Sequence, residues 1–133
     1  MGIGQSGTGM AEGDFRDLDV WKKCREIRER IWNICRPFPA EEKHRLSDQM
    51  IRASRSATAN IAEGYGRFHF QETIQFCRQA RGSLYELIDH LLVASECKYI
   101  DSSMVEDMTE RITIAIKMLN GYIKYVRSRK NKT

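Results

Sequence analysis

The sequence predicts an all-α protein, a single antiparallel up-down-up-down four-helix bundle, on three observations. Four segments carry apolar residues at three- and four-residue steps, which is the spacing of one buried helix face. No segment alternates apolar and polar residues as a strand does. The connections are short, so successive helices should be antiparallel neighbours. The expected helices span about residues 14–35, 40–63, 69–97 and 103–128 of one domain at 14–130.

The first two helices are separated by a segment with two prolines. Val20, Ile27 and Ile31 mark the buried face of the first helix, which the segment RPFPAEE at 36–42 brings to an end. The acidic residues of that segment suit the first turn of the next helix, where the helix dipole is positive. The second helix is expected to end before Gly64, a predicted C-terminal cap in the left-handed conformation.

The last two helices carry the longest apolar patterns. The third has apolar residues over half its circumference, so we expect it to contact neighbours on two sides. The fourth is expected to begin with a capping box formed by Ser103 and Glu106. It continues as a heptad seam that runs from Val105 to Val126.

Composition limits the class of protein. There are 22 Lys and Arg against 18 Asp and Glu, a net charge of +4, which permits a nucleic-acid partner without requiring one. No apolar run approaches the roughly 20 residues that cross a bilayer. The four cysteines form no C-x-x-C pair and are interpreted as reduced core residues. Because no secretory signal is visible, we expect a cytoplasmic protein.

The first 13 residues, MGIGQSGTGMAEG, differ from the rest of the chain. They are rich in Gly and hold neither Lys nor Arg, so they lack the basic start of a secretory signal. We interpret residues 1–13 as a disordered leader, either a loose native tail or a vector remnant.

The second helix is rich in small residues on all sides, as the segment ASRSATANIA at 53–62 shows. A lone solvent-facing helix rarely has this composition, and small residues permit close backbone approach. Either the helix lies centrally in its own bundle or it packs against another copy of the chain, and the second is our hypothesis. The residues expected at such an interface are Ile51, Ser56, Thr58, Ala59 and Ala62, with Trp21 and Trp32 at the edge.

Trp21, Arg25, Arg28 and Trp32 fall within a narrow band beside the buried face of the first helix. Interleaved aromatic and basic residues suit stacking on single-stranded nucleic acid. The alternative, which we favour, is that the two tryptophans pack against an adjacent helix or subunit.

Seven basic residues are candidates for a nucleic-acid-binding surface. Phosphate binding gains strength from several simultaneous contacts, so this hypothesis requires that they share a face. A merely solvated face is the alternative. The seven are Arg52, Arg55, Arg67, Arg78, Arg81, Lys124 and Arg127.

Two polar residues precede Gly64 on the second helix. Asn60 falls within the apolar stripe and Glu63 lies beside it, so both need partners. We expect a structural role for them, either capping of neighbouring backbone or pairing with an arginine such as Arg67 or Arg81.

No pattern predicts catalysis, a metal or a cofactor. A di-iron bundle needs Glu-x-x-His on two helices, and only Glu41 with His44 has this spacing. The segment GYG at 64–66 is too short for a phosphate loop, and no Cys and His pattern indicates a nucleophile with its base. We therefore expect a non-enzymatic protein.

Three segments are distinctive together: F-x-x-L-x-V-W at 15–21, N-I-A-E-G at 60–64 and A-x-G-S-L-x-E at 80–86. They resemble the bacterial four-helix bundle proteins encoded by intervening sequences in 23S rRNA genes, a family related to accessory variability proteins of diversity-generating retroelements. The resemblance covers about residues 14–127. One departure is Thr58, which stands where an apolar residue such as Ile is expected.

The resemblance implies a cytoplasmic bundle that assembles into a pentameric ring, without catalysis and with an unsettled role. The related retroelement proteins are thought to bind a reverse transcriptase and nucleic acid. Our leading hypothesis is therefore a homo-oligomeric scaffold whose basic surface binds RNA, DNA or a nucleoprotein. The alternative is a protein-binding adaptor, such as a reverse-transcriptase accessory subunit.

Overall fold

The computed structural model describes residues 13–131 of the chain, which form four helices. They are α1 (Asp19–Cys35), α2 (Leu46–Tyr65), α3 (Phe70–Glu96) and α4 (Ser102–Asn131). There is no strand in this part of the chain, which confirms the all-α four-helix prediction. Of these helices, none is long and apolar enough to cross a membrane. The predicted leader lies outside the described residues except for Gly13.

Hydrogen bonds made by side chains give the relative direction of the helices. On α2 and α3, Ser56 contacts Ser83 at 2.9 Å, and Thr73 donates to the Gly64 carbonyl at 2.8 Å. The residue number therefore falls along α3 as it rises along α2, so these two helices run in opposite directions. The same inverse order relates α1 to α2 and α3 to α4, through the pairs Arg28–Thr58, Cys35–Met50, Arg81–Asn120 and Gln71–Lys130.

The bundle closes where α1 meets α4. Arg111 on α4 pairs with Glu26 on α1 at 3.3 Å, and the Glu26 carboxylate also pairs with Lys23 at 3.0 Å. Each helix thus has two neighbours, and α3 contacts both α2 and α4 as predicted. Ile31, Ile61, Leu87 and Ile112, one from each helix, are completely buried at the centre. Burial of these apolar side chains is the main force that holds the helices together.

The chain enters α1 later than expected. Residues Phe15–Asp17 form a short 3-10 turn, and Leu18 is extended before α1 begins at Asp19. The break arises because Asp14 and Asp17 cap the turn by accepting each other's backbone N–H groups, which gives it an independent start. The predicted single helix from residue 14 is therefore wrong in its first turn.

The start of α2 also differs from the prediction. Residues Ala40–Glu42 form a 3-10 turn, and α2 begins only at Leu46. The Glu42 carboxylate accepts hydrogen bonds from the Leu46 backbone N–H at 3.3 Å and from the Tyr99 hydroxyl at 2.7 Å. The hydrogen bond between Tyr99 and Glu42 is the largest of the effects that raise the pKa of Tyr99 to about 12. Glu42 thereby joins the α1–α2 connection to the α3–α4 connection.

Gly64 is not a left-handed cap. It lies inside α2, which continues to Tyr65, and no glycine among the described residues has a positive φ. Gly64 is buried where α2 meets α3, and a Cβ added to it would lie 2.9 Å from the Phe76 Cβ. The position therefore requires glycine for its small size, since it lets the two helices approach closely.

The cap of α4 is also different from the one predicted. Asp101, rather than Ser103, accepts a hydrogen bond from the backbone of the first turn, at 2.8 Å from the Met104 N–H. Helix α4 accordingly starts at Ser102. The apolar seam that follows is confirmed by its buried members, Met108, Ile112, Ala115, Leu119 and Val126.

Three of the four cysteines lie in the core as predicted, whereas Cys97 is exposed at the end of α3. All four are free thiols. Burial raises the pKa of Cys24 to about 12 and the pKa of Cys35 and Cys77 to about 11. Since the thiolate is the reactive form, burial suppresses the reactivity of these three as well as their accessibility.

We expect a thiol-specific reagent at pH 8 to modify one cysteine per folded chain rapidly, and to modify the other three only after unfolding. The measurement is the number of thiols labelled, with and without denaturant. In the matched control, Cys97→Ser, the fast phase should disappear and three slow thiols should remain. Rapid labelling of two or more cysteines in the folded protein would contradict the burial of Cys24, Cys35 and Cys77.

Candidate nucleic-acid interface

Charges on α3 and α4 are divided between the two ends of the bundle. Residues 73–85 of α3 and 111–131 of α4 contain no Asp or Glu, but carry two and six Lys or Arg respectively. The intervening residues 86–110 carry seven Asp or Glu and only Lys98 as a positive charge. Because α3 and α4 run in opposite directions, the two acid-free segments lie side by side at one end of the bundle.

Two hydrogen bonds fix the positions of the basic residues at that end. Arg81 donates to the Asn120 side-chain oxygen at 2.7 Å, and Lys130 donates to the Gln71 side-chain oxygen at 2.9 Å. Asn120, Lys124 and Arg127 follow one another at four- and three-residue steps, so they share one side of α4. Arg78 lies one turn before Arg81 on the adjacent α3.

Four of the seven predicted nucleic-acid-binding residues therefore lie together on one surface. We call this surface the α3–α4 basic face, and it consists of Arg78, Arg81, Lys124 and Arg127. Arg78, Lys124 and Arg127 are exposed, and Arg81 is half-buried. The acid-free surroundings mean that an approaching phosphate meets no carboxylate from the adjoining segments.

The other three predicted residues lie elsewhere and already have partners. Arg52 pairs with Asp48 at 3.7 Å on α2, and the Arg55 guanidinium lies 5.8 Å from the Trp32 ring centroid. Arg67 lies in the connection between α2 and α3, where it pairs with Glu63 at 2.7 Å and covers the Phe76 ring. The seven residues do not form a single surface, because α2 lies across the bundle from α4.

The two polar residues near Gly64 both have partners within the chain. Asn60 donates to the Ser56 carbonyl at 2.9 Å and to the Ser56 hydroxyl at 3.0 Å. Ser56 in turn contacts Ser83 on α3, so this chain of hydrogen bonds joins two helices. Glu63 pairs with Arg67, one of the two arginines predicted for it.

Two residues predicted at an interface between copies are instead buried within the bundle. Trp21 is 8% exposed, because the ring of Phe15 packs edge-on against it at 5.3 Å. Thr58 is 3% exposed, and its hydroxyl accepts a hydrogen bond from Arg28 at 3.0 Å. A hydroxyl rather than an apolar side chain at position 58 thus holds the Arg28 guanidinium in place.

The remaining interface candidates are open to contact. Ala59 is exposed on the outer side of α2, and Ile51, Ser56 and Ala62 are half-buried. Trp32 is 50% exposed on α1. These five residues are therefore the ones that another molecule could reach.

Sequence reasoning missed the extent of the acid-free region. Lys117 is a further exposed basic residue on α4 within that region. The signal was present in the sequence, as a stretch without carboxylates that begins after Glu110. Among residues 13–131 there is no cluster of three or more His, Cys, Asp or Glu side chains that could hold a metal ion.

The fold and this surface define a small all-helical bundle protein with a cationic face at one end. Residues 16–121 match the family described as 23S rRNA-intervening sequence protein, and the chain belongs to that family. The match confirms the family resemblance that the N-I-A-E-G segment and its companion segments indicated.

A similar solved structure is that of a protein with unknown function from the S23 ribosomal protein family of Bacteroides thetaiotaomicron. The two share 26% sequence identity with a TM-score of 0.73, over 79% of this chain and 95% of that chain. No curated protein matches the chain. The likeness supports the helical fold and family, and the relative is itself described as a protein of unknown function.

Proposed function

We propose that this protein is a non-enzymatic, homo-oligomeric scaffold that binds RNA through the α3–α4 basic face. The observation that carries the proposal is the acid-free pairing of residues 73–85 with residues 111–131. Phosphate groups bind more tightly to several cations at once and are repelled by carboxylates. This surface offers several cations on segments that contain no carboxylate.

The side chains on the face suit phosphate geometrically. Arg78 and Arg81 present planar guanidinium groups, which can form paired hydrogen bonds to phosphate oxygens. Arg81 uses one of its nitrogens on Asn120, which orients the group and leaves other N–H donors available. Lys124 and Arg127 extend the positive charge along α4 by one further turn. The face thus offers two cations on each of two neighbouring helices.

Assembly of several copies would multiply this face. Ala59 on α2 and Gly82 on α3 are both exposed, and a Cβ added to Gly82 would meet no atom within 4 Å. Small side chains on neighbouring helices leave a surface that another copy can approach closely. An oligomer would bind RNA more tightly than one chain does, because its second contact is intramolecular. Sedimentation should give a mass several times that of one chain, and a monomer at micromolar concentration would contradict this part of the proposal.

Removal of the four basic side chains should abolish most salt-dependent RNA binding. For the variant with Arg78, Arg81, Lys124 and Arg127 all changed to Ala, the slope of log K against log salt should fall by roughly 3 to 4, since each duplex phosphate contact contributes about 0.9. The measurement is fluorescence anisotropy with a labelled RNA duplex between low and moderate salt.

The matched control changes four basic residues on other surfaces, Lys22, Arg30, Arg45 and Lys98, and should leave that slope almost unchanged. This control removes the same net charge, so it separates local contacts from overall electrostatic attraction. Equal slopes for the two variants would show that the α3–α4 basic face is not the binding surface.

A protein-binding adaptor, such as a reverse-transcriptase accessory subunit, is the second candidate. Tyr85 is 57% exposed and Leu92 is 46% exposed, and the two lie on the same side of α3 two turns apart. Exposed apolar side chains along one side of a helix are typical of surfaces that contact other proteins. If neither duplex nor single-stranded RNA binds at low salt, this candidate replaces the first.

A further inference from the structure

Trp32 lies in a groove between α1 and α2, on the side of the bundle away from the α3–α4 basic face. Two clefts adjoin along this groove, with volumes of about 460 and 570 Å³. Trp32, Ile51 and Arg55 line both of them, so the indole stands where the clefts meet. Each volume is within the range of about 300–1,000 Å³ that is usual for small-molecule sites. We call these two clefts together the Trp32 groove.

The charge of the Trp32 groove is positive. Its basic lining residues are Arg28, Arg36, Lys43 and Arg55. Only two lining residues are acidic, Glu29 and Asp48, and Asp48 pairs with the nearby Arg52. The groove therefore attracts an anion, in addition to offering an aromatic surface.

One of these cations is hydrogen-bonded to α2, and another contacts the indole of Trp32. Arg28 donates to the Thr58 hydroxyl at 3.0 Å, and that hydroxyl donates in turn to the Arg55 carbonyl at 3.1 Å. The Arg55 guanidinium lies over the indole of Trp32 at 5.8 Å from the ring centroid. The groove thus presents a half-exposed indole together with two guanidinium groups that already have contacts. Ligand binding therefore costs little additional side-chain entropy.

We propose that the Trp32 groove binds unpaired nucleotides of single-stranded RNA, with a base stacked on Trp32 and its phosphate beside Arg28 and Arg36. An unpaired base has a free aromatic face, and base-to-aromatic stacking with nearby cations is the usual means of holding single strands. A paired duplex cannot present such a face. The inference rests on RNA as the ligand of the proposed function, but it uses a different surface and a different structural form of RNA.

The test uses the intrinsic fluorescence of Trp32. In Trp21→Phe, the remaining tryptophan reports on the groove, and titration with hexauridylate should quench its emission saturably. Binding to the full chain, measured by anisotropy of labelled hexauridylate, should weaken roughly 5- to 150-fold in Trp32→Ala, the equivalent of losing one stacked base. Trp32→Phe keeps an aromatic ring and should lose less.

The outcomes separate this inference from the proposed function. Loss of duplex binding in the quadruple variant of the α3–α4 basic face, with hexauridylate quenching retained, supports two independent sites. Intact duplex binding without quenching overturns the Trp32 groove alone. If the neutral quencher acrylamide does not reach Trp32 in the assembled protein, another copy covers the groove and the inference is wrong. If neither RNA binds, both proposals fail.

Discussion

Replacement of Gly64 by valine is expected to destabilise the protein by about 2 kcal/mol, in spite of the better helix propensity of valine. Even a Cβ at this position would lie 2.9 Å from the Phe76 Cβ and 3.2 Å from the Thr73 carbonyl oxygen. Both of these atoms belong to α3, so α2 and α3 would have to move apart. That movement would also stretch the 2.8 Å hydrogen bond from the Thr73 hydroxyl to the Gly64 carbonyl.

Gly121→Ala is the matched control, and it should change stability in the opposite direction. Gly121 is also inside a helix, but it is exposed and a Cβ there would contact nothing within 4 Å. Alanine should therefore stabilise α4 by roughly 0.5–1 kcal/mol through its higher helix propensity. Urea unfolding at one protein concentration measures both variants, because self-association of the kind proposed would make stability concentration-dependent. A neutral Gly64→Val would show that α2 and α3 are not closely packed at this point.

Gly64 also shows why the sequence predicted the helices better than their contacts. A glycine near the end of an apolar stripe is compatible both with a left-handed cap and with a close helix crossing, and local sequence does not distinguish them. The distinction depends on Phe76 and Thr73, which come from the next helix. The four helices themselves were predictable because their apolar spacing is a local property of each segment.

The same limit applies to the basic residues. The sequence identified Arg78, Arg81, Lys124 and Arg127 as candidates, but it could not show that they meet. Their proximity depends on the register of α3 against α4, which pairs Arg81 with Asn120. This register is set by packing between segments about forty residues apart in the chain. Arg52 is equally basic, but it lies on α2 and therefore outside this surface.

The two tryptophans were predicted to act alike because they share one band of α1. The structure separates them through residues outside that helix. The 3-10 turn before α1 places Phe15 against Trp21, which is then buried. No comparable ring covers Trp32 among the described residues, where Arg55 is the side chain within cation–π distance. Helical position alone therefore does not determine whether an aromatic residue is buried or exposed.

Truncation of Leu91 to alanine is expected to cost about 3–5 kcal/mol, the largest effect of a single substitution proposed for this chain. Leu91 is completely buried on α3, where its side chain contributes to the common core of the bundle. Truncation leaves a cavity that the four packed helices cannot collapse to fill, so the cavity cost adds to the lost transfer energy.

The adjacent residue provides the control for this prediction. Leu92→Ala makes the same chemical change at a side chain that is 46% exposed, so it should alter the free energy of unfolding by less than about 1 kcal/mol. Comparison of the two variants by denaturant unfolding cancels the change in helix propensity, which is the same at both positions. If Leu92→Ala alone also weakens RNA or protein binding while stability is preserved, the exposed apolar side of α3 belongs to a binding surface rather than to the core.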